Sequence, residues 1–239
     1  MNLNEYVKKL QRAMNAAGSK LTEDGDFGPV SQAEADKYAI TVAATRKQMV
    51  APEPNVGGVV NPAYVEAKKY AGRGERDAGF VKWLAGFWPK VGLPGYKTII
   101  GSSFAWCGLF IAAMNSEVGQ KWAAKAAGAR NWAVYGQAID WRANGIPRGA
   151  VMHLNHEGNC SSKSDNHVTF ADGDCSAADL AKPGANVPGY GGNQSNATRR
   201  SMYPVKEVCA VRWPAEIALP AAVAKSDGCS GAASGESTR

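Results

Sequence analysis

A proline- and glycine-rich stretch divides the chain into two unequal parts. Residues 50–61 mix Pro52, Pro54, Gly57 and Gly58 without apolar periodicity, which is typical of a linker. The chain has 239 residues, which is enough for two domains of ordinary size. The predicted organisation is an N-terminal domain over 1–49, the linker over 50–61, a larger domain over 62–219 and a flexible tail over 220–239, where alanine, serine and glycine are frequent.

The N-terminal part has the pattern of a small helical module. Leu3, Leu10 and Met14 recur at the spacing of one helix face, and Gly18 ends that helix. The segment 24–29 is dense in turn-forming residues and ends in a proline that suits the first turn of a following helix. We expect a three-helix module.

The larger part changes from helical patterns to strand patterns along its length. Apolar residues recur at helical spacing over 64–70 and 78–87. Strand-like runs follow at 151–154, 167–171 and 208–213, separated by loops rich in glycine and asparagine. Helices that precede a mainly antiparallel sheet predict an α+β domain.

One cysteine has a sequence context that suits a nucleophile. Cys107 lies in the apolar run 104–114, which has the length of a helix and follows the possible cap residues Ser102 and Ser103. The positive end of a helix dipole lowers the pKa of a thiol, and the thiolate is the form that attacks a carbonyl. A buried structural cysteine would show the same local pattern.

A histidine and two amides downstream could complete such a site. His167 begins a strand-like alternation, and the start of a strand is a suitable place for a base. In the stretch 191–194, Asn193 is predicted to orient the imidazole, and Gln194 is the alternative. Each of these residues alone is also compatible with a surface histidine or an ordinary turn.

Two resemblances follow from these motifs. Asp24-Gly25-Asp26-Phe27-Gly28-Pro29, with Leu10-Gln11, Asn15 and Leu21, resembles the peptidoglycan-binding domain of many cell-wall enzymes, which implies that Asp24, Asp26 and Phe27 contribute to binding. The order Trp106-Cys107, Pro147-Arg148-Gly149, Asn166-His167-Val168 and Gly191-Gly192-Asn193-Gln194 resembles the cysteine, histidine-dependent amidohydrolase/peptidase family and its NlpC-like relatives.

The second resemblance implies a papain-like α+β fold with an antiparallel sheet and a catalytic triad. Cys107 would be the nucleophile, His167 the general base and then acid, and Asn193 the third member. Trp106 and Trp132 could form the walls of the substrate cleft, and aromatic residues at such positions are also typical of an ordinary core. Gln194 would also contact the substrate.

Together the resemblances imply a peptidoglycan hydrolase of the phage endolysin type. It would cleave either the amide between muramic acid and L-alanine or a peptide bond of the stem or cross-link. Met1–Tyr6 lacks the features of a secretory signal, so we expect a protein made in the host cytoplasm that reaches the wall, in the periplasm, through a membrane pore (holin). An injected antibacterial toxin with the same chemistry is the alternative. We expect a monomer without metal or cofactor.

The charge of the chain fits such a target. A formal charge of +6 and a pI near 9.0 favour a polyanionic partner, of which an acidic wall polymer is one. The sequence contains no basic helix and no interleaving of basic and aromatic residues, which argues against nucleic acid as a partner.

Two other functions remain open at this point. His153, His156 and His167, with Cys160 or Asp165, contain the residue types of a zinc hydrolase, although a strand would send His153 and His156 to opposite faces. A non-catalytic wall-binding protein would need only the N-terminal motif. Chelator treatment and release of soluble wall fragments distinguish these functions from the cysteine mechanism.

The cysteines show no scaffold pattern. The chain has 5 cysteines, so at least one is unpaired, and no Cys-x-x-Cys pair is present. Cys160 and Cys175 flank a polar loop and are the candidates for a short bridge in an oxidising compartment.

Overall fold

The structure is a computed structural model that describes residues 11–12, 15, 19–22, 59–101 and 105–229. The chain divides into two compact units, Met1–Glu53 and Pro54–Arg239. In the first unit the side chain of Asn15 bonds twice to the backbone of Leu21: its Nδ2 donates to the carbonyl over 2.9 Å and its Oδ1 accepts from the N–H over 2.7 Å. The predicted three-helix module, with Asp24, Asp26 and Phe27, lies outside the described residues and stays a prediction.

The second unit begins with helices. Helix α1 spans Pro62–Lys68, α2 spans Ala78–Ala85 and α3 spans Cys107–Glu117. Asn61 caps α1 and Asp77 caps α2, each through a side-chain oxygen that accepts a backbone N–H of the first turn. Shorter elements are α4 (Trp141–Asn144), α5 (Ala177–Leu180) and the 3-10 helices Pro89–Val91, Ala129–Val134 and Val205–Glu207.

Six strands of the described residues form one sheet, in the order β1-β6-β2-β3-β4-β5. The strands are β1 (Gln137–Ala138), β2 (Val151–Asn155), β3 (Asn166–Ala171), β4 (Asn186–Gln194), β5 (Ala197–Pro204) and β6 (Val208–Trp213). Every neighbouring pair is antiparallel. The predicted α+β class with an antiparallel sheet is therefore confirmed, as are the strands predicted near 151, 167 and 208.

The two faces of this sheet have different neighbours. The helix-side face, formed by Val151, Val168, Phe170 and Tyr190, packs in one core with residues of α1, α2 and α3. The far face, formed by Met152, Leu154, Ala171, Val187 and Tyr203, packs in a second core with Trp141, Ile146 and Trp213. Because side chains alternate along a strand, His167 and Thr169 belong to the far face.

A carboxylate ties α1 to the sheet. Tyr64 donates from its hydroxyl to Oδ1 of Asp172 over 2.6 Å, and Lys68 forms an ion pair with the same oxygen. Arg200 of β5 approaches the other oxygen at 3.1 Å. Burial and the nearby Asp172 raise the pKa of Tyr64, so its hydroxyl stays protonated as a donor.

Two disulfides join distant segments of the second unit. Cys160 bonds to Cys209, and Cys175 bonds to Cys229, while Cys107 is the free cysteine among the described residues. The predicted bridge between Cys160 and Cys175 is therefore wrong. Each of the two cysteines has a partner about 50 residues away in sequence, brought near by the sheet, with Cα–Cα distances of 5.3 and 5.4 Å and sequence separations of 49 and 54.

The C-terminal segment 220–229 also differs from its prediction as part of a flexible tail. Val223 donates its N–H to the carbonyl of Asn144 over 2.8 Å, and Oδ1 of Asp227 accepts the N–H of Asp174 over 2.7 Å. With the bond to Cys229, these contacts hold the segment on the domain. The prediction rested on the frequency of alanine, serine and glycine, which does not show the polar contacts and the disulfide that hold the segment. Within the described residues, no helix has the length and apolar character needed to cross a membrane.

Candidate active site

Cys107 is the first residue of α3, and its surroundings are almost entirely apolar. Trp106 is the N-cap position, and Cys107 is 3% exposed. The helix is buried nearly all round, since every residue from Cys107 to Asn115 is buried. The predicted position of the thiol at a helix N-terminus is therefore present.

The sulfur of Cys107 lies beside backbone donors. It accepts hydrogen bonds from the N–H groups of Val168, of Gly108 and of Cys107 itself. The last two belong to the first turn of α3, where N–H groups have no acceptor within the helix. Burial nevertheless outweighs these donors and raises the pKa of the Cys107 thiol, so the resting form is the neutral thiol.

His167 lies on β3, next in sequence to the residue whose N–H faces the sulfur. Strand β4 pairs with β3 at Phe170 and Ala171 but not at Val168. The sulfur of Cys107 thus lies at the edge of β3, at the level of the sheet, whereas the imidazole of His167 points to the far face. No hydrogen bond joins the two side chains in the described part of the chain, where Nε2 of His167 is buried and unpaired.

Burial dominates the electrostatics of His167. The residue is 4% exposed, and burial, followed by the charge of His156, lowers its pKa to about 3, from a usual value of 6.5. The amide of Gln194 acts in the opposite direction and favours the protonated ring. At neutral pH the imidazole is therefore unprotonated and able to accept a proton.

Of the two candidate amides, Gln194 is the one that faces His167. Its Oε1 accepts from the hydroxyl of Thr169 over 3.0 Å, and its Nε2 donates to the carbonyl of Arg199 over 2.7 Å, so its orientation is fixed. Asn193 has a φ of 60° at the β-bulge of the β4–β5 hairpin. No bond from Asn193 to His167 is found among the described residues. The left-handed backbone at Asn193 shifts the register, so that Gln194 takes the inward position.

Two aromatic residues that the sequence analysis placed at the cleft are core residues. Trp106 and Trp132 are both 0% exposed. The indole N–H of Trp106 donates to Glu75 over 3.2 Å, and that of Trp132 donates to the carbonyl of Ala126 over 2.9 Å. Neither indole is exposed to a cleft in this structure, and their contact with substrate stays a prediction. The third set of predicted contacts, Asp24, Asp26 and Phe27, lies outside the described residues.

Three residues outside the predicted triad lie in the group around His167 and His156. The rings of His156 and Tyr203 lie 6.0 and 5.7 Å from that of His167, measured between centroids. Nδ1 of His156 donates to Oε2 of Glu207 over 3.1 Å. The one available signal was a second histidine at the start of the polar insert 156–165, because the partners on β5 and before β6 are far away in sequence.

A groove runs along α2 toward the start of α3. It has a volume of about 520 Å³ and basic side chains along its rim. Tyr96 and Ile100, which are 39% and 51% exposed, contribute apolar surface to it. Its lining includes Glu75, Arg76, Lys82, Tyr96, Lys97 and Ile100. Glu75 joins the groove to the start of α3, because it accepts the indole N–H of Trp106.

The described residues contain no set of ligands for the zinc site that the sequence left open. No three side chains of His, Cys, Asp or Glu there lie together as metal ligands. His153 donates from Nε2 to Asn166 over 2.8 Å, and Cys160 is used in a disulfide.

Comparisons with known proteins found no match for the chain. No protein-family model matches the chain, and neither a curated protein nor a solved structure matches it. The function must therefore be inferred from the site itself.

Proposed function

We propose that the larger domain hydrolyses an amide bond, with Cys107 as nucleophile and His167 as the base. One observation carries this proposal: the free thiol begins a buried helix and lies against the strand segment that holds an unprotonated imidazole whose Nε2 has no partner among the described residues. Gln194, rather than Asn193, is proposed as the group that orients His167. A papain-like fold, in which a cysteine helix packs against an antiparallel sheet, is part of this proposal, and the α+β class supports it.

The proposed reaction starts from neutral groups. The thiol proton of Cys107 passes to His167 while the sulfur attacks the amide carbonyl, and the carbonyl electrons move onto oxygen. The N–H groups at the start of α3 are the donors available for that oxyanion. The C–N bond then breaks as His167 returns its proton to the leaving amine, which leaves a thioester. Water attacks the thioester, His167 accepts the water proton, and the acid and the thiol are released.

We propose peptidoglycan as the substrate. The support comes from the motifs in both parts of the chain that resemble cell-wall enzymes, and from the groove beside α2. Stem peptides carry free carboxylates, and Arg76, Lys82 and Lys97 supply complementary charge along the groove. Exposed Tyr96 and Ile100 supply apolar contacts for the rest of the peptide.

The setting we propose is a lytic protein that works outside the host cytoplasm. Two disulfides support this location, because such bonds persist mainly in oxidising compartments. A phage endolysin released through a membrane pore and an injected toxin both fit. The N-terminal module would hold the polymer and raise the local concentration of scissile bonds.

A second function is favoured by the closure of the site. Cys107 and His167 are 3% and 4% exposed, which suits a wall-binding protein whose thiol has no catalytic role. Under this alternative the chain binds purified sacculi and releases nothing.

Mass spectrometry of fragments released from purified peptidoglycan separates the two functions. Wild-type chain is compared with Cys107→Ala, and with His167→Gln as a second catalytic variant, under mild reduction. We expect fragments from the wild type alone, and their new termini identify the bond that is cut. Release by Cys107→Ala would remove the thiol from the mechanism, and no release by any chain would support the wall-binding alternative.

A further inference from the structure

A second histidine lies against the proposed base, and the reaction described above does not use it. The rings of His156 and His167 are nearly parallel, with an interplanar angle of 24° and centroids 6.0 Å apart. Tyr203 completes the group, since its ring lies 6.2 Å from that of His156 and 5.7 Å from that of His167. The side chain of Glu207, which is 11% exposed, accepts the Nδ1 proton of His156.

We propose that the His156–Glu207 pair is a positioning device for the proposed base: Glu207 fixes the ring of His156, and that ring, stacked beside His167, sets the position of His167 and disfavours a proton on it. The proposal rests on the proposed function only in taking His167 as the base. His156 is a positioning residue, because it acts through His167.

Both partners are fixed by the same covalent link. His156 begins the polar insert 156–165, where its N–H donates to the carbonyl of Asp165 over 3.0 Å. Within that insert, Cys160 is bonded to Cys209, which lies two residues after Glu207 in sequence. The disulfide therefore joins the segment that carries the imidazole to the segment that carries the carboxylate.

The electrostatic effect follows from the stacking. Two imidazoles 6.0 Å apart repel each other when both are protonated, so a proton on His156 disfavours one on His167. After burial, His156 is the largest influence that lowers the pKa of His167, and it opposes Gln194, which favours protonation. The other titratable or charged groups around these rings are Cys107 on α3, His153 on β2, Arg199 and Tyr203 on β5, and Glu207 before β6.

Such a pairing gives the two histidines different roles. Two neighbouring titratable groups can act as acid and base when their environments give them different proton affinities. His156 has a carboxylate partner, whereas Nε2 of His167 is unpaired and buried. His167 is therefore the member of the pair that has a buried ring nitrogen without a partner in the described part of the chain.

The test is an NMR titration of the His167 ring in the full chain, from neutral pH to the lowest pH at which the chain stays folded. His156→Phe keeps an aromatic ring over His167 but removes the proton site and the bond to Glu207. We expect the His167 midpoint to move upward by about 0.5 pH unit or more, the shift that Coulomb's law gives at this separation in a water-like medium. Lys206→Gln is the matched control, because it removes an exposed positive charge beside Glu207 and should leave the midpoint unchanged.

Two further variants test the positioning by Glu207. Glu207→Gln keeps an oxygen acceptor for Nδ1 of His156, and Glu207→Ala does not. We expect the ring-current shifts at His167 to be retained in the first variant and lost in the second. If Phe at 156 perturbs folding, His156→Gln replaces it with the same expected upward shift.

These outcomes are separate from peptidoglycan cleavage. An unchanged midpoint in both His156 variants would overturn the positioning role even in a chain that cleaves the wall. A shifted midpoint in a chain that releases no fragments would keep the electrostatic coupling and would remove the catalytic reason for it.

Discussion

The two faces of the sheet are stabilised in different ways. The helix-side face is apolar and packs against α1, α2 and α3, with aromatic contacts such as that between Tyr64 and Phe170 at 6.1 Å. The far face combines apolar residues with the polar group around His167, and disulfides hold the segments beside it. The comparison indicates that the helix-side face is stabilised mainly by apolar packing, although it includes His153, while the far face depends more on the protonation of His167 and on the two disulfides.

The largest effect is expected on the helix-side face. Phe170→Ala removes a fully buried ring, and such substitutions cost about 3–5 kcal/mol of unfolding free energy because they leave a cavity. Urea unfolding measures this loss. Val134→Ala is the control, since Val134 is 80% exposed and should change stability by no more than about 0.5 kcal/mol. A small loss at Phe170 would contradict the tight packing of this face.

On the far face we expect a loss of stability in acid. The pKa of His167 in the folded chain is lowered to about 3 from 6.5, so the unfolded chain binds its proton more readily. The contribution is complete above pH 6.5 and is lost as the pH falls toward 3. It reaches at most about 5 kcal/mol by linkage.

Urea unfolding of wild type and His167→Gln at neutral and mildly acidic pH checks this expectation. The difference between the two chains should shrink as the pH falls, whereas the loss caused by Phe170→Ala should be the same at both pH values. A pH-independent difference at His167 would show that the two faces do not differ in this respect.

The disulfide beside the far face should have a slightly smaller effect. Replacing both Cys160 and Cys209 by alanine opens a loop with a sequence separation of 49. The free energy of unfolding should fall by about 2–4 kcal/mol, because the unfolded chain gains conformational freedom. Differential scanning calorimetry of this variant, with and without Phe170→Ala, measures the effect, and the two losses should add because the sites lie on opposite faces.

The smallest effect is expected in the groove, away from both faces. Arg76→Gln combined with Lys82→Gln should weaken binding of an acidic stem-peptide fragment to the Cys107→Ala chain by about 2- to 10-fold, since exposed charges contribute little each. Calorimetric titration at low and high salt measures it, and the difference should shrink in salt. Lys121→Gln is the matched control outside the groove lining. Equal binding by all three chains would remove the groove as the peptide site.

The contrast between the faces also separates what the sequence predicts from what it does not. Helix α3 and strands β2, β3 and β6 follow from local apolar patterns, which are strong where one face is buried. The glycine-rich part of β4 looks like a loop in sequence. In the structure it is a strand, in which Gly189 and Gly191 lie against Thr169 and Gly192 lies against Trp106. A side chain would have no room at these three positions, so glycine allows the close packing.

The residues of the candidate site also fall into those that the sequence indicates and those that it does not. Cys107 and His167 could be selected from sequence because each begins a regular element. His156, Glu207 and the cysteine partners could not, because their contacts join segments about 50 residues apart that only the sheet brings together. Whether Gln194 or Asn193 faces His167 depends on the β-bulge in β4. A bulge inserts one extra residue, so it changes which of two neighbouring side chains points inward.

The C-terminal segment has a consequence for how the chain can be recombined or shortened. Residues 220–229 supply Cys229 to Cys175, and Asp227 forms an ion pair with Arg148. A protease cut or a gene fusion that removed this segment would leave an oxidisable thiol at Cys175 and a bared guanidinium on the domain surface. A fusion at the C-terminal end of the domain is therefore expected to preserve its stability only if residues 220–229 are retained.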